Sequence, residues 1–325
     1  MYAYIVRRVL YAMPILIGIN IITFALFFFV NTPDDMARMQ LGVKRVTPEG
    51  IQKWKAERGY DKPLLWNAGA AGVKKLSDTI FFEKSVKLFA FEFGRAEDNR
   101  DIANEIRTRM WPSLALAVPV FLVGLAVNIS FALGMAFFRA TYLDLWGVVL
   151  CVAMMSISSL FYIIGGQYLI SKLWHLAPIS GFVGGPDALK FLVMPVIIGV
   201  VSSFGSSARF YRTLFLEEMS KDYVRTARAK GLAESAVMFR HVLKNAMIPI
   251  LTGVVVVIPV LFLGSLISES FFGIPGLGSY TIDAIQSQDF AVVRVMVFIG
   301  SVLYIAGLLL TDISYTLVDP RVRFD

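Results

Sequence analysis

The sequence predicts an all-α membrane protein whose helices cross the bilayer six times. Of the 325 residues, 57% are hydrophobic and only 17% are charged, whereas a soluble domain averages about 25% charged residues. The apolar residues are also concentrated in long blocks without charge. These blocks approach or exceed the roughly 20 residues that a helix needs to cross the hydrocarbon core.

Six uncharged blocks are the predicted spans, and apolar flanks extend the two shorter ones, the fourth and the sixth. The first block follows Arg7 and Arg8 and is longer than the roughly 7–15 apolar residues of a secretory signal. No small-x-small cleavage site follows it, so we interpret it as an uncleaved first span. The blocks are Val9–Val30, Trp111–Phe138, Leu145–Ser171, Phe191–Ala208, Ala246–Ser268 and Val295–Thr311.

The distribution of basic residues predicts the orientation of the spans. Arg209–Asn245, between the fourth and fifth blocks, contains eight lysines and arginines and four acids. Basic residues in short loops mark the cytoplasmic side of a membrane protein. With six spans, Arg7 and Arg8 at the N-terminus and Arg321 and Arg323 in the C-terminal tail lie on the same side. We therefore expect both termini to be cytoplasmic.

The long first loop is predicted to be external and partly helical. Thr47 and Pro48 are a cap and a first helical residue, and Gly59 is a stop after Arg58. A second short helix is expected at Ile102–Arg109, leading into the second span. The predicted organisation is an N-terminus and first helix at 1–30, an external region at 31–110, and a core at 111–325 that contains a cytoplasmic segment at 209–248.

The cytoplasmic segment has the signals of a short helix. Ser220 is a suitable N-cap, Asp222 suits the first turn, and Gly231 is a left-handed stop. About ten residues lie between them, too few to be stable in water without a packing partner. A second helix is expected at Ala233–Asn245, ending where Pro249 enters the fifth span. From charge alone, a solvated loop facing lipid headgroups is the competing interpretation.

This segment resembles the cytoplasmic loop of ABC-importer permeases, most closely that of the dipeptide/oligopeptide family. The loop pattern is Glu-Ala-Ala, three residues, Gly, nine residues, then Ile-x-Leu-Pro. Its first positions fall on Arg225, Thr226 and Ala227 with Gly231 in place, and its last fall on His241, Leu243 and Lys244. The Glu, the first Ala, the Ile and the Pro are unmatched, and the peptide branch of the family departs at the same places.

Further motifs in the same order extend the resemblance over nearly the whole chain. Tyr4–Arg8 is similar to the family's start, and Arg58–Pro63 is similar to its external-loop motif. Glu269–Gly278 resembles the segment after the fifth span, and Asp312–Arg321 resembles the C-terminal end. Residues 66–89 match no pattern of the family.

The resemblance implies the type I ABC-importer permease fold in a bacterial inner membrane. Family members form half of a path that opens alternately to each side, paired with a homologous second permease. Two ATPase subunits bind ATP and Mg, and a periplasmic or lipid-anchored binding protein delivers the solute. The implied solutes are di- or oligopeptides, with nickel chelates or oligosaccharides as alternatives. The chain itself is expected to carry no cofactor.

The resemblance assigns a role to the short cytoplasmic helix, which would dock in a cleft of an ATPase subunit. A capped, rigid helix transmits motion that a loose loop would not. Arg225, Arg228 and Lys230 would meet acids of the ATPase, or else face solvent or lipid. The coupling residues are expected to be Asp222, Tyr223, Arg225, Thr226, Ala227, Arg228, Ala229, Lys230 and Gly231.

The glycine-rich segment after the fifth span is a candidate external gate or contact for a binding protein. It follows a membrane span and not a strand, so it fails the context required of a nucleotide-binding loop. The candidate residues are Glu269, Pro275, Gly276, Gly278 and Asp283. For Glu269 and Asp283, the competing interpretation is that of ordinary polar loop residues.

Several function classes are disfavoured by what the sequence lacks. There is no Gly-x4-Gly-Lys-[Ser/Thr] loop, so any driving ATP is expected to bind another chain. His175 and His241 are predicted on opposite sides of the membrane and cannot share a metal. Nucleic-acid binding is disfavoured because the lysines and arginines behind the net charge of +7 lie between spans. With Cys151 alone, no intrachain disulfide forms.

An intramembrane enzyme and a stand-alone channel or carrier are the remaining alternatives. Ser156, Ser158 and Ser159 are intramembrane hydroxyls, but no histidine lies at their depth to act as a base. The spans contain no firmly intramembrane charge of the kind that proton- or ion-coupled carriers often keep. The sequence therefore favours transport driven by energy that enters elsewhere.

Overall fold

The computed structural model describes residues 2–42, 47–185 and 187–318. Its regular elements in those ranges are helices, together with an isolated bridge between Arg95 and Asp101. The basic tail residues Arg321 and Arg323 lie outside the described residues, as does the end of the motif at Asp312–Arg321.

Two compact units make up the described chain: residues 2–108 with 280–309, and residues 109–279 with 310–318. The first helices are α1 (Tyr2–Ala25, continued by a π-helix Leu26–Val30), α2 (Pro33–Leu41), α3 (Pro48–Arg58), α4 (Lys74–Ser77) and α5 (Ile80–Lys84). They are followed by α6 (Ile102–Phe137), α7 (Tyr142–Met155), α8 (Ser159–Gly166, continued by a π-helix Gln167–Leu173) and α9 (Ala188–Met219). The remaining helices are α10 (Asp222–Ala229), α11 (Glu234–Val237), α12 (Lys244–Val260), α13 (Leu266–Phe272), α14 (Leu277–Gln286) and α15 (Phe290–Val318).

The predicted helix in the long first loop is confirmed. The Thr47 hydroxyl accepts the Gly50 N–H at 3.2 Å, and Gly59 ends α3 in the left-handed region with φ of 68°. Trp54 of this helix is buried with Tyr60 and with Phe28 from the end of the first span. Aromatic packing therefore holds the loop helix against that span.

Five helical segments of the described chain are long and apolar enough to cross a membrane. A sixth crossing exists if α7 and the α8 segment are taken as one span, and these two are bent by 88°. The span predicted over Leu145–Ser171 is therefore a bent pair of helices. The break lies at Ser156–Ser158, where the Ser156 hydroxyl donates to the Val152 carbonyl. Serines compete for backbone hydrogen bonds, and an apolar run does not reveal where such a bend occurs.

Two further boundaries differ from the sequence prediction. The helix expected at Ile102–Arg109 is the first part of α6, so it is not a separate element. The helix expected over Ala233–Asn245 does not end there, because α11 continues through a π-helix at Met238–Leu243 into α12. Pro249 lies inside α12, and such prolines are tolerated in membrane helices where the freed backbone groups find other partners.

Close packing of α7 on α9 fixes the helix that leads to the candidate coupling segment. A Cβ at Gly205 would collide with the Cys151 carbonyl oxygen and lie 3.1 Å from the Met155 backbone nitrogen, so the two backbones approach where only glycine fits. Near the start of α7, Asp144 accepts two hydrogen bonds of 2.7 Å from the Arg212 guanidinium. The Asp144 side chain is 9% exposed, so this paired geometry joins α7 and α9 rigidly.

Candidate coupling segment and adjoining cavity

The short helix α10 forms as the sequence indicates, but with a different start. The predicted cap, Ser220, instead ends α9, and its hydroxyl donates to the Glu217 carbonyl at 2.7 Å. The N-cap position belongs to Lys221, whose extended backbone carries no side-chain cap. Ser220 is therefore not the cap, because its hydroxyl bonds backward and not forward. Asp222 still lies in the first turn, where an acid favours the helix dipole.

One face of α10 is buried in the second unit. Val224 is 0% exposed and Ala227 is 4% exposed, three residues apart and so on one side of the helix. They belong to a cluster with Phe215 and Met219 of α9 and with residues from α6, α11 and α12. The helix is therefore anchored to the core through this face, although it has only eight residues.

The opposite face of α10 is charged and exposed. The side chains of Arg225 and Asp222 are 74% and 94% exposed and lie 3.4 Å apart. Thr226, Ala229 and Lys230 are also exposed. An ion pair this exposed contributes little to stability. These groups are therefore available to a partner without loss of folding energy.

Two side chains fix α10 to its neighbours. The Tyr223 hydroxyl donates to Glu218 of α9 at 2.5 Å. Burial, followed by this hydrogen bond, raises the pKa of Tyr223. Arg228 donates to both carboxylate oxygens of Glu234 at 2.7 and 3.2 Å, which joins α10 to α11. Arg228 is thus committed within the chain, whereas Arg225 points its charge outward.

Gly231 makes the turn between α10 and α11. Its φ is +78°, a backbone conformation that side chains disfavour, and open space surrounds the position where a Cβ would lie. The sequence prediction of a left-handed stop at this residue is confirmed. The constraint is in the backbone, since no neighbouring atom blocks a side chain there.

A cavity of about 510 Å³ lies between α6, α9 and α12. Its lining contains no Asp, Glu, Lys or Arg. The Asn128 side-chain oxygen is buried and accepts no hydrogen bond from any residue that the structure describes. The cavity can therefore offer neutral hydrogen-bonding groups to a solute. Its polar lining residues are Asn128, Ser202, Ser203, Ser207, Tyr211, Ser265 and Ser268.

The candidate gate segment is organised around Glu269, which is fully buried. Its carboxyl group accepts backbone N–H groups from Ser265 and Ser279, each at 3.1 Å. The Gly278 N–H and the Ser113 hydroxyl also donate to it. The Ser113 oxygen accepts the Leu277 N–H at 2.7 Å, so both ends of the segment are fixed to α6. We call this arrangement the Glu269 bracket.

Glycines make room for the bracket. Gly264 has φ of +69°, and a Cβ there or at Gly276 would collide with the Glu269 carboxyl group. A Cβ at Gly278 would lie 2.6–2.8 Å from backbone atoms of Ser265 and Leu266. Backbone cannot move aside as a flexible side chain can, so Gly278 is required by close packing.

The bracket changes the interpretation of the candidate gate residues. A direct contact between Glu269 and an external protein or solute does not fit its burial, because its carboxyl group faces inward. Gly276 and Gly278 are also buried, while Pro275 and Asp283 are exposed. A gating role for the segment stays a prediction.

Two sequence profiles of known membrane transport components match this chain. The sequence profile of the family described as binding-protein-dependent transport system inner membrane components matches residues 108–324. A profile for the N-terminal part of these membrane components matches residues 1–70. The chain belongs to this family. It is therefore a transport permease and an inner membrane component, and the resemblance drawn from the motifs is confirmed.

Relatives matched over their full length are peptide permeases by name. A putative peptide transport system permease protein of Brucella abortus (strain 2308) is 31% identical over 331 positions, covering 100% of both chains. The dipeptide transport system permease protein DppB of Escherichia coli (strain K12) is 28% identical, covering 99% of each chain. The di/tripeptide transport system permease protein DppB of Pseudomonas aeruginosa (strain UCBPP-PA14) is 27% identical, again over 99% of each.

Sequence reasoning missed two features of this region. Asp144 and Arg212 form a bidentate ion pair although 68 residues separate them. Asn128 was overlooked as a cavity residue, although an amide inside an uncharged span is a usable signal of a wet or packed polar face. The ion pair has no local signal, because it depends on how α7 lies against α9.

Proposed function

We propose that this chain is the permease subunit of an ATP-driven importer of di- or oligopeptides. It would form half of the translocation path beside a homologous second permease. Two ATPase subunits would bind ATP and Mg, and a binding protein would deliver the solute. The observation that carries the proposal is the two-faced helix α10, anchored by Val224 and Ala227 and exposing Arg225 and Asp222.

The anchoring of α10 supports a mechanical role. A docked ATPase that moves the exposed face would move α9 with it, because Tyr223 and the buried cluster join the two helices. The bond between Arg228 and Glu234 carries the same motion to α11 and so to α12. α9 and α12 both line the cavity. A displacement at α10 would therefore change the shape of the path.

The cavity supports a peptide as the solute. Serine hydroxyls and the Asn128 amide can pair with peptide N–H and C=O groups, whose loss of water must be compensated. A lining without ionised groups does not select one side-chain charge over another, which suits a path for peptides of varied sequence. The names of the relatives point to the same solute class.

We further propose that α10 faces the cytoplasm and that both termini lie on that side. The excess of lysine and arginine in Arg209–Asn245 supports this orientation. Pro275 and Asp283 would then belong to the external side. In this position the Glu269 bracket would hold the external lip of the path in one shape.

Transport by the co-purified complex in proteoliposomes tests the proposal. Wild type should take up a labelled dipeptide only with ATP and binding protein present. Arg225→Glu and Gly231→Asp should hydrolyse ATP with uptake reduced by about tenfold or more. Lys53→Glu, an exposed change in α3, is the matched control and should transport normally.

Two results would contradict the proposal. Normal uptake by Arg225→Glu and Gly231→Asp would remove α10 from the coupling path. Uptake by the chain alone, without ATP, would instead identify a stand-alone carrier. ATP-dependent uptake of a labelled nickel chelate or oligosaccharide, with no uptake of the labelled dipeptide, would retain the importer and correct its solute.

A further inference from the structure

The first unit holds a buried cation, Arg294, that no acid among the described residues pairs with. Arg294 on α15 is 4% exposed, and its guanidinium carbon lies 4.9 Å from the centre of the Phe28 ring. Its Nε donates to the Phe290 carbonyl at 3.2 Å, whereas its Nη1 is buried without a hydrogen-bond partner among the described residues. A buried charge is costly unless it is paired, so this group calls for an explanation.

A second, half-buried cation without an acidic partner among the described residues lies nearby. The Lys84 ammonium lies 5.2 Å from the centre of the Tyr60 ring, and no acid in the described parts of the chain pairs with it. Burial, followed by the charge of Arg294, lowers the pKa of Lys84. Two neighbouring cations thus repel each other in a partly desolvated place.

The acids around these two cations are engaged elsewhere. Carboxylate oxygens of Glu83 and Glu97 lie 2.6 and 2.5 Å from Lys62 and Arg58 respectively, and Glu92 pairs with Lys87. Asp289 accepts backbone N–H groups of Glu97 and Val292 at 2.8 and 3.1 Å. The acids near the two cations are therefore paired with other donors, and none that the structure describes forms an ion pair with Arg294 or Lys84.

Open space adjoins the unpaired cations. A cavity of about 270 Å³ is lined by Arg294, Lys84 and Arg95, and also by the acids Glu83 and Glu92. A second cavity of about 430 Å³ shares Lys84, Arg95 and Ala291 with it and is also lined by Glu57 and Glu97. The exposed Arg95 guanidinium donates to the neutral Asn99 side chain at 3.1 Å, and no acid that the structure describes pairs with it. We call this space the Arg294 pocket.

We infer that the Arg294 pocket binds a phosphate group through Arg294, Lys84 and Arg95. A phosphate presents several oxygens to converging donors and would compensate charges that the chain leaves unpaired. The pocket lies near the end of one candidate span, Val6–Val30, and near the start of another, Phe290–Ser314, so a headgroup would be within reach if both cross the bilayer. The phosphate therefore comes either from an anionic phospholipid headgroup or from solution.

Ligand binding to the intact chain, purified with the subunits that accompany it, tests the inference. One arm titrates a short-chain phosphatidylglycerol against the matching phosphatidylcholine, followed by native mass spectrometry. The other arm titrates inorganic phosphate by calorimetry. The proteins are wild type, Arg294→Gln, Lys84→Gln and Lys53→Gln, the last an exposed lysine of α3 outside the pocket.

We expect one arm to show saturable binding that both pocket variants weaken by about tenfold and that Lys53→Gln leaves unchanged. Binding of phosphatidylglycerol alone identifies the headgroup as the source, and binding of inorganic phosphate identifies the solution. Absence of saturable binding in both arms overturns the inference. So does binding that the pocket variants do not weaken. Lys84 is only half buried, so its variant carries the test if Arg294→Gln fails to fold.

Discussion

Two parts of the second unit use ionisable side chains in opposite ways. On α10 the apolar side chains point inward and Arg225 and Asp222 point into solvent. In the Glu269 bracket the acid itself is buried, and backbone N–H groups converge on it. The exposed charges on α10 contribute little to folding stability and are available to partners. The buried carboxyl group of Glu269, by contrast, fixes the backbone around it through its hydrogen bonds. Substitutions at the two places should therefore affect different properties.

The largest effect is expected from Glu269→Ala. It removes the acceptor of the buried Ser279 N–H, at a cost of about 1–3 kcal/mol, and that of the partly buried Ser265 N–H at a smaller cost. The melting temperature in detergent should fall markedly. Asp283→Ala, an exposed acid, is the control and should change it little. An equal change in melting temperature for the two variants would show that the Glu269 bracket does not stabilise the fold.

A smaller loss is expected from Gly278→Ala. Its Cβ would press on backbone atoms of Ser265 and Leu266, and such overpacking costs about 1–3 kcal/mol. Gly253→Ala, inside α12 with no atom within 4 Å of the new Cβ, should leave the protein as stable or more stable. Thermal unfolding of both variants checks the comparison. A tolerated Gly278→Ala would show that the bracket has room to adjust.

On α10, two adjacent residues should respond differently. Val224→Ala removes buried methyl groups and should cost about 1–2 kcal/mol of stability. Arg225→Ala should change stability by less than about 0.5 kcal/mol, because the side chain is exposed. Thermal unfolding of both variants measures the two stability changes. A destabilising Arg225→Ala would mean that this face supports the fold and not a partner.

The smallest effect is a pH dependence of the bracket. Burial raises the pKa of Glu269, against the hydrogen bonds that lower it. The folded state therefore holds this proton to higher pH than the unfolded state does. The stability that Glu269 contributes through this bound proton should fall as pH rises from about 4.5, the ordinary pKa of a glutamate, through the raised pKa of the folded state. Wild type should lose melting temperature relative to Glu269→Gln between pH 5 and pH 8. A gain over that interval would contradict the shift.

Local signals were sufficient to predict the helices whose ends are set by their own residues. Thr47, Pro48 and Gly59 define α3, and Gly231 ends the turn after α10, because capping and left-handed backbone depend on single residues. The apolar blocks predict the spans for the same reason, since length and charge alone decide whether a helix can cross the membrane.

The features that the sequence did not reveal depend on distant contacts. Glu269 resembled a polar loop residue, but Ser113, 156 positions earlier, helps to bury it. The bend at Ser156–Ser158 lies within an uncharged run, and hydropathy does not predict whether such a run forms one straight helix or two. Ser220 is a residue type that often caps a helix, but its hydroxyl donates to the Glu217 carbonyl at the end of α9 and so does not cap α10.

Site-specific photocrosslinking from α10 tests most directly whether this helix contacts an ATPase subunit. In a Cys151→Ser background, Arg225→Cys carries a short thiol-reactive photocrosslinker on the exposed face, and Lys53→Cys carries it on α3. We expect the probe at position 225 to capture an ATPase subunit with a yield that changes on ATP binding, and the probe at position 53 to capture none. Capture from position 53 and not from position 225, or a yield from 225 that is indifferent to ATP, would contradict the claim that α10 receives the driving motion.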